Sequence, residues 1–391
     1  MKVAITCHRP FHLGMLANVL AARADSVDIY ASAPRKFFKG LDDTVRTHFA
    51  PAPVRILAHL FPVRFSPGIM TRDILVFDRT VAAMMGRPEI CFGLAAQSLY
   101  TAKAAKRRGG LFVLDRACPH CDFQQALIRR ESERVGVPFK SQPAWFRERQ
   151  LEEYEVSDAI LVPSKYSART FPDQLTSKLV KAPLMGRTKL PESGREEPNE
   201  QFTVGVVGGD PLRKGYLYLL RAWKKLALPS ARLLIRSSTG FGGFPALEAL
   251  VKEMPSVELV GYVPNLSDFY RRCDVFVLPS VDDGFGMALV EAMSNFVPCV
   301  ATSNCGASEL LTDGVDGIVV EPANEDQLEE AILRLYQSEE LRRSIGEAAA
   351  KTARQLVNSG QYSLAIESLM AGISEGRVEL ADVPNYLFEA K

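Results

Sequence analysis

The sequence predicts an α/β protein of two Rossmann-like, doubly wound domains with a cleft between them. Three observations lead there. The chain has 391 residues, too many for one ordinary core and suited to two domains of similar size. Short apolar runs alternate with amphipathic stretches, the pattern of βα units around parallel sheets. That alternation breaks once, in a polar, Pro- and Gly-bearing stretch from Leu184 to Gln201 that lacks periodicity and reads as a linker.

In the first half the strand candidates are Val3–Thr6, Val27–Ala31, Glu89–Phe92, Leu111–Leu114 and Ala159–Val162. Helix candidates are His12–Ala24, Thr71–Met85, Gln97–Arg108, Asp122–Val135 and Ala144–Val156. After the linker, strands are expected at Thr203–Val207, Arg232–Arg236, Val257–Val260, Val275–Leu278, Pro298–Thr302 and Gly317–Val320. Helices are expected at Gly215–Leu226, Pro245–Glu253, Leu266–Arg271, Met287–Asn295 and Asn324–Gln337. From Glu339 to about Ser374 the chain is helical in character. The expected division is a first domain over 1–185, a linker over 186–201, a second domain over 202–358, and a helical segment over 359–391 that can return to the first domain. Two such domains place a cleft at the C-terminal ends of both sheets, where open α/β sheets bind ligands.

Composition narrows the function classes. Hydrophobic residues make up 47% and charged residues 24%, as in a globular protein. The net charge of +1 gives no global field that would favour nucleic acid. No apolar run approaches the roughly 20 residues of a membrane helix. Met1–Ile5 runs directly into a strand pattern without a signal-peptide layout, and the seven cysteines are scattered, mostly in or beside apolar runs, as buried thiols are. A cytoplasmic protein is expected. Two basic patches, Arg35–Lys39 and Lys103–Arg108, are candidates for peripheral contact with an anionic membrane at its inner face.

The most informative segment is Pro279–Met293, PSVDDGFGMALVEAM, directly after the strand VFVL. Gly284 and Gly286 let backbone amides approach a ligand. The helix that starts near Met287 offers unpaired N–H groups and a partial positive charge, a seat for a diphosphate. Asp283 before that helix and Glu291 about one turn inside it suit hydroxyl groups, because an ionised carboxylate accepts two hydrogen bonds from a vicinal diol. A second loop, Val206-Val207-Gly208-Gly209-Asp210-Pro211-Leu212-Arg213-Lys214-Gly215, follows the second domain's first strand and opens a helix. Its two cations can clamp a diphosphate leaving group as negative charge grows on it.

The Pro279–Met293 segment resembles the acidic-x7-Glu signature of family-4 retaining glycosyltransferases of the GT-B fold, with Asp283 where the family usually has Glu. The resemblance implies that Asp283 contacts hydroxyls of the transferred sugar and Glu291 holds the ribose. It also implies that the amides around Phe285, Gly286, Met287 and Ala288, with Leu289 in the same turn, bind sugar hydroxyls and phosphate oxygens. The glycine-rich loop is similar to the family's Gly-Arg-…-Lys-Gly loop. Lys214 matches its lysine, Gly209 stands where the arginine would, and Arg213 is the candidate substitute. Gly261-Tyr262-Val263-Pro264 corresponds to the loop that packs the nucleotide base, and Asn304–Glu309 to a small-residue turn that walls the nucleotide site.

In the first domain, Thr6–Gly14 follows the first strand; Gly14 is the glycine available where the family has a Gly-Gly pair, and His8, Arg9 and His12 add polar groups. Leu114-Asp115-Arg116-Ala117-Cys118-Pro119-His120 ends another strand and looks like a bacterial branch with Asp-Arg-x-x-x-His. The resemblance places His120 near the donor sugar, with Asp115 and Arg116 shaping the acceptor pocket. The Cys118-x-x-Cys121 pair lacks a second pair at metal spacing, so a zinc or redox reading is weak. Val162-Pro163-Ser164-Lys165-Tyr166 also resembles the family, where the run closes the domain with a buried strand and a helix cap, and it is assigned no chemistry.

The reaction implied is transfer with retention, from a nucleotide-diphosphate sugar to a glycan or lipid-linked acceptor. Neither a cofactor nor a metal is expected: the chain contains no Asp-x-Asp triplet, and Lys214, Arg213 and the helix at Met287 would supply the charge. Rival readings are a nucleotide-sugar 2-epimerase or hydrolase on the same fold and an inactive nucleotide-sugar-binding subunit. An NAD-dependent oxidoreductase fits least, because no Gly-x-Gly-x-x-Gly follows either domain's first strand.

Overall fold

Two parallel sheets, one from each half of the chain, organise the protein. The computed structural model describes residues 1–8, 12–38, 40–52, 67–184, 190–194, 199–237, 241, 244–261 and 263–374. The first sheet contains β1 (Lys2–Cys7), β2 (Ser26–Ala31), β3 (Arg46–Phe49), β4 (Ile90–Leu94), β5 (Leu111–Asp115), β6 (Ala159–Val162) and β7 (Leu179–Lys181), in the order β3-β2-β1-β4-β5-β6-β7. The second contains β8 (Phe202–Val207), β9 (Ala231–Arg236), β10 (Val257–Val260), β11 (Val275–Leu278), β12 (Cys299–Thr302) and β13 (Ile318–Val320), in the order β10-β9-β8-β11-β12-β13. Every ladder among the described residues is parallel. The winding reverses between β1 and β4 and again between β8 and β11, and the crevice at such a reversal is where ligands settle.

The central strands follow from composition. VFVL of β11 and AILV of β6 are buried along their whole length, as strands covered by helices on both faces must be. Strands β3 and β7 were not expected. RTHF of β3 is an edge strand held by its ladder with β2 and by Asp28, which pairs with Arg46 at 2.6 Å and His48 at 2.6 Å. Such a strand needs neither an apolar run nor alternation.

Between β1 and β7 lie α1 (Leu13–Ala21), α2 (Pro67–Met84), α3 (Leu99–Arg107), α4 (Cys121–Val135), α5 (Ala144–Val156), α6 (Lys165–Ala168) and α7 (Asp173–Thr176). The second half carries α8 (Tyr216–Leu226), α9 (Pro245–Lys252), α10 (Leu266–Tyr270), α11 (Met287–Ser294), α12 (Glu325–Gln337), α13 (Glu339–Asn358) and α14 (Gln361–Ser374). The helical tract after Glu339 is thus two helices, separated at Gly360, which has φ 61°. Helix α14 lies against α1 and β7 of the first sheet. It buries Tyr362, Ile366 and Leu369 in the cluster that holds Leu13, Leu16 and Leu20, and Glu367 pairs with Arg23 at 3.1 Å. No described helix is long and apolar enough to cross a membrane.

Candidate active site

The loops after β8 and β11 meet at one pair of side chains. Lys214 Nζ donates to Asp283 Oδ2, and both residues are largely shielded, with side-chain exposures of 10% and 13%. Burial by itself would raise the Asp283 pKa; the charges of Lys214 and Arg213 outweigh it and hold the carboxyl below its usual value. Arg213 folds back along the same loop: Nη1 donates to the Asp282 carbonyl at 2.8 Å and lies 3.9 Å from Asp283. Two cations therefore stand on the acid that precedes α11.

Helix α11 begins at Met287 behind Gly286, whose φ of 86° is left-handed. A Cβ there would lie 2.4 Å from Cys305 Sγ, so glycine is required by both conformation and space. Gly284 is required by space alone, since a Cβ would meet the Ala117 carbonyl of the first domain at 2.3 Å. Met287 and Ala288 occupy the first helical turn, where amides have no intrahelical acceptor. Leu289 differs from expectation: its amide donates to Gly286 O at 2.8 Å and its side chain is fully buried, so it builds core. Phe285 is likewise buried, at 2% exposure. Glu291 lies on α11 opposite α10 and accepts from the Tyr270 hydroxyl at 2.9 Å.

This arrangement is a helix N-terminus, a lysine and two acids at the mouth of a parallel sheet. Residues 191–352 match the family described as glycosyl transferases group 1. The stretch that carries the acidic loop and the lysine loop is therefore similar to a group 1 glycosyl transferase domain. CapM, a capsular polysaccharide biosynthesis glycosyltransferase of Staphylococcus aureus, is 28% identical over 179 residues, 45% of this chain and 47% of CapM. The matched regions span less than half the length of the curated relatives. Among solved structures, sucrose-phosphate synthase from Thermosynechococcus elongatus superposes with TM-score 0.74 at 17% identity, covering 96% of this chain and 99% of that one. Anabaena HepE in complex with UDP-glucose gives TM-score 0.69 at 17% identity, covering 95% and 100%. At these identities the likeness shows the fold, which is GT-B over the length of the chain.

The first domain reaches the second at the acidic loop itself. The Gly284 carbonyl accepts from Ser164 Oγ at 2.6 Å and Ser167 Oγ at 3.0 Å. Asp282, fully buried, accepts from Gln124 Nε2 at 2.6 Å and Tyr166 Oη at 2.8 Å. Glu309, expected to wall the nucleotide site, turns to the first domain: it accepts from the Lys165 amide at 2.8 Å and pairs with Lys181 at 2.6 Å. Sequence reasoning did not single out Asp282 and read Ser164–Tyr166 as a cap alone. Ser164 does cap α6, accepting from the Ser167 amide at 3.0 Å, and also donates across the cleft. A small hydroxyl cap carries no mark in sequence of a second partner 120 positions away.

The remaining expected residues divide into groups. His12 Nε2 lies 2.5 Å from Asp115 Oδ2, so the loop after β1 and the end of β5 meet through a buried pair. His8 turns instead toward α2, with Nε2 3.6 Å from Asp73 and its ring edge-on to Phe77. Gly14 lies within the first turn of α1, where an added Cβ would make only an ordinary contact with Phe38 at 3.9 Å. Arg116 braces its own turn: Nε and Nη2 donate to the Pro119 carbonyl at 2.9 and 2.6 Å. It is buried there, so its guanidinium shapes the loop from within rather than lining an open pocket.

His120 has a structural place. It is the N-cap of α4, its Nδ1 accepts from the Asp122 amide at 3.3 Å, and its ring packs against Tyr154 and Phe171 with centroids 4.9 and 5.2 Å apart. Burial lowers its pKa, so the neutral imidazole that accepts from an amide is favoured. Gly209 lies in the loop after β8, Val263 packs half-buried against the core, and Tyr262 and Arg9 lie outside the described residues. Cys121 is buried, Cys118 half-buried, and neither forms a disulfide. The basic patches are largely occupied. Lys103 pairs with Glu152, Lys106 with Asp158 at 2.5 Å, and Arg108 donates to the Met85 and Ala82 carbonyls. Arg35 donates to the Val45 and Asp42 carbonyls, and Lys39 lies outside the described residues.

Proposed function

We propose that this protein is a retaining glycosyltransferase that moves a sugar from a nucleotide-diphosphate sugar to a glycan or lipid-linked acceptor. The carrying observation is the Lys214–Asp283 pair at the N-terminus of α11. A diphosphate seated on the Met287 and Ala288 amides comes within reach of Lys214, and Asp283 is left to accept from sugar hydroxyls. Glu291, one turn further, receives the ribose diol. As the bond from the anomeric carbon to the diphosphate oxygen breaks, charge grows on that oxygen, and the lysine and the helix end stabilise it. The acceptor hydroxyl then bonds to the anomeric carbon on the face the diphosphate leaves, and its proton passes to the departing diphosphate. This needs neither a protein nucleophile nor a metal. That HepE is solved with UDP-glucose makes UDP the first base to try.

The test is a thermal-shift panel of nucleotide sugars, then transfer assays on the best donor with the product anomer read by NMR, with and without excess chelator. Transfer with the donor's anomeric configuration, unchanged by chelator, is expected. An inverted product, or loss of activity that added metal restores, overturns the mechanism.

A further inference from the structure

We infer that Asp282 is a positioning residue through which the first domain sets the donor acid Asp283 in place; the inference rests on the function proposed above. Three successive residues are held by the two domains in alternation. The Asp282 carboxylate is held by Gln124 and Tyr166 of the first domain. The Asp283 carboxylate is held by Lys214 of the second. The Gly284 carbonyl is held again by the first, through Ser164 and Ser167. The backbone of Asp282 is tied to the loop that carries the lysine, its amide donating to Arg213 O at 3.3 Å and its carbonyl accepting from Arg213 Nη1 at 2.8 Å. A shift of the first domain relative to the second therefore moves the peptide on either side of Asp283.

A carboxylate with no exposed surface is expensive unless both oxygens are satisfied. Asp282 is at 0% exposure, and each oxygen takes one donor from the opposite domain. Burial raises its pKa, with the Gln124 bond acting the other way. When the domains part, those donors withdraw and water must replace them. The joined arrangement is therefore the one in which the Asp282 carboxylate and the Gly284 carbonyl keep their first-domain donors on either side of Asp283, whose own backbone is held within the second domain by Asn304 and Gly306.

The test uses Asp282→Ala, Asp282→Asn, Tyr166→Phe and Gln124→Ala in the full chain, the last two approaching from the first domain should Asp282→Ala fold poorly. Four readouts are taken: UDP affinity, donor KM, kcat at saturating substrates, and interdomain distance by fluorescence transfer between labels on the two domains. Asp282→Ala is expected to lower kcat by roughly 30-fold or more while UDP affinity stays within about threefold. Tyr166→Phe and Gln124→Ala should each cost about 3–10-fold, and either combined with Asp282→Ala should add little. Asp282→Asn can accept from Tyr166 and donate to a flipped Gln124, so it should recover most of kcat. The label distance should shift toward the open form in Asp282→Ala. Unchanged kcat and unchanged distance overturn the inference, as does UDP affinity falling in step with kcat, which would mark a purely second-domain role. If the wild-type chain binds and transfers no nucleotide sugar, the proposed function fails, and the distance shift alone then decides whether Asp282 couples the domains.

Discussion

Lys214 and Asp283, 69 positions apart in sequence, form a direct charge pair at the mouth of α11. The pair explains how an aspartate can stand where the related signature has a glutamate. The lysine loop comes to the acid, and Arg213 closes from the other side at 3.9 Å. It also means that a bound diphosphate and Asp283 compete for one ammonium group.

Lys214→Ala should therefore lower kcat by roughly 10²–10³-fold, the scale seen when one preorganised stabiliser of developing charge is removed. Steady-state kinetics at saturating donor measure it. A variant that turns over at the wild-type rate would remove Lys214 from the leaving-group site.

Glu291→Gln is the informative change at the ribose position, because glutamine still accepts from the Tyr270 hydroxyl, which a truncation would strand. Nucleotide affinity should fall by about 1.5–3 kcal/mol through loss of a charged acceptor, with the melting temperature little changed. Calorimetric titration with UDP reads the first and thermal denaturation the second; equal affinity in the two proteins contradicts the assignment.

For His120 the expected separation is between cap and chemistry. Asparagine can cap α4 as the imidazole does, and alanine cannot. His120→Ala should lose about 1 kcal/mol of stability from the cap, and His120→Asn less. Turnover of the asparagine variant should remain within a few-fold of wild type. A collapse of kcat with unchanged stability in His120→Asn would instead give the imidazole a chemical task.

Glu153 supplies a pH dependence. It is fully buried and accepts from the Ser98 amide at 2.8 Å, and burial pushes its pKa up to about 7 from 4.5, against the opposing charge of Arg149. A raised acid favours the folded state fully below the unfolded value, and that contribution is lost as pH rises through about 7. Between pH 5 and pH 8 the stability difference between wild type and Glu153→Gln should move toward the variant by on the order of 2–3 kcal/mol. Urea midpoints at the two pH values measure it, and a pH-independent difference refutes it.

The expectations that matched are those governed by local pattern. VELV and the helix Ala144–Val156 have the expected bounds, although VELV is an exposed edge strand. VFVL and AILV also have the bounds expected of them, because burial on both faces is written in adjacent apolar residues. The helix start at Met287 was legible for the same reason: glycine, strand end and apolar period coincide within a few positions. The edge strand β3 was not, because an edge needs only a ladder partner. Asp282 was not legible either. Beside Asp283 it looks like the other half of an acidic pair, and its partners Tyr166 and Gln124 lie 116 and 158 positions away. His120 was legible as a polar residue at a strand end, but whether such a ring turns to a cleft or back onto Tyr154 depends on side chains that α5 brings from elsewhere.

Among the described residues the chain passes between its two halves twice, once between Leu184 and Phe202 and once at Gly360, where α13 gives way to α14 against the first sheet. A body attached at one point can swivel about any axis. Attached at two, it keeps one free rotation, about the line through both attachments, as a door does on a pair of pins. The second pin is a packed one, with Ile366 and Leu369 seated beside α1, so a rotation about that line would carry the serines of one half to or from the same carbonyl of the other.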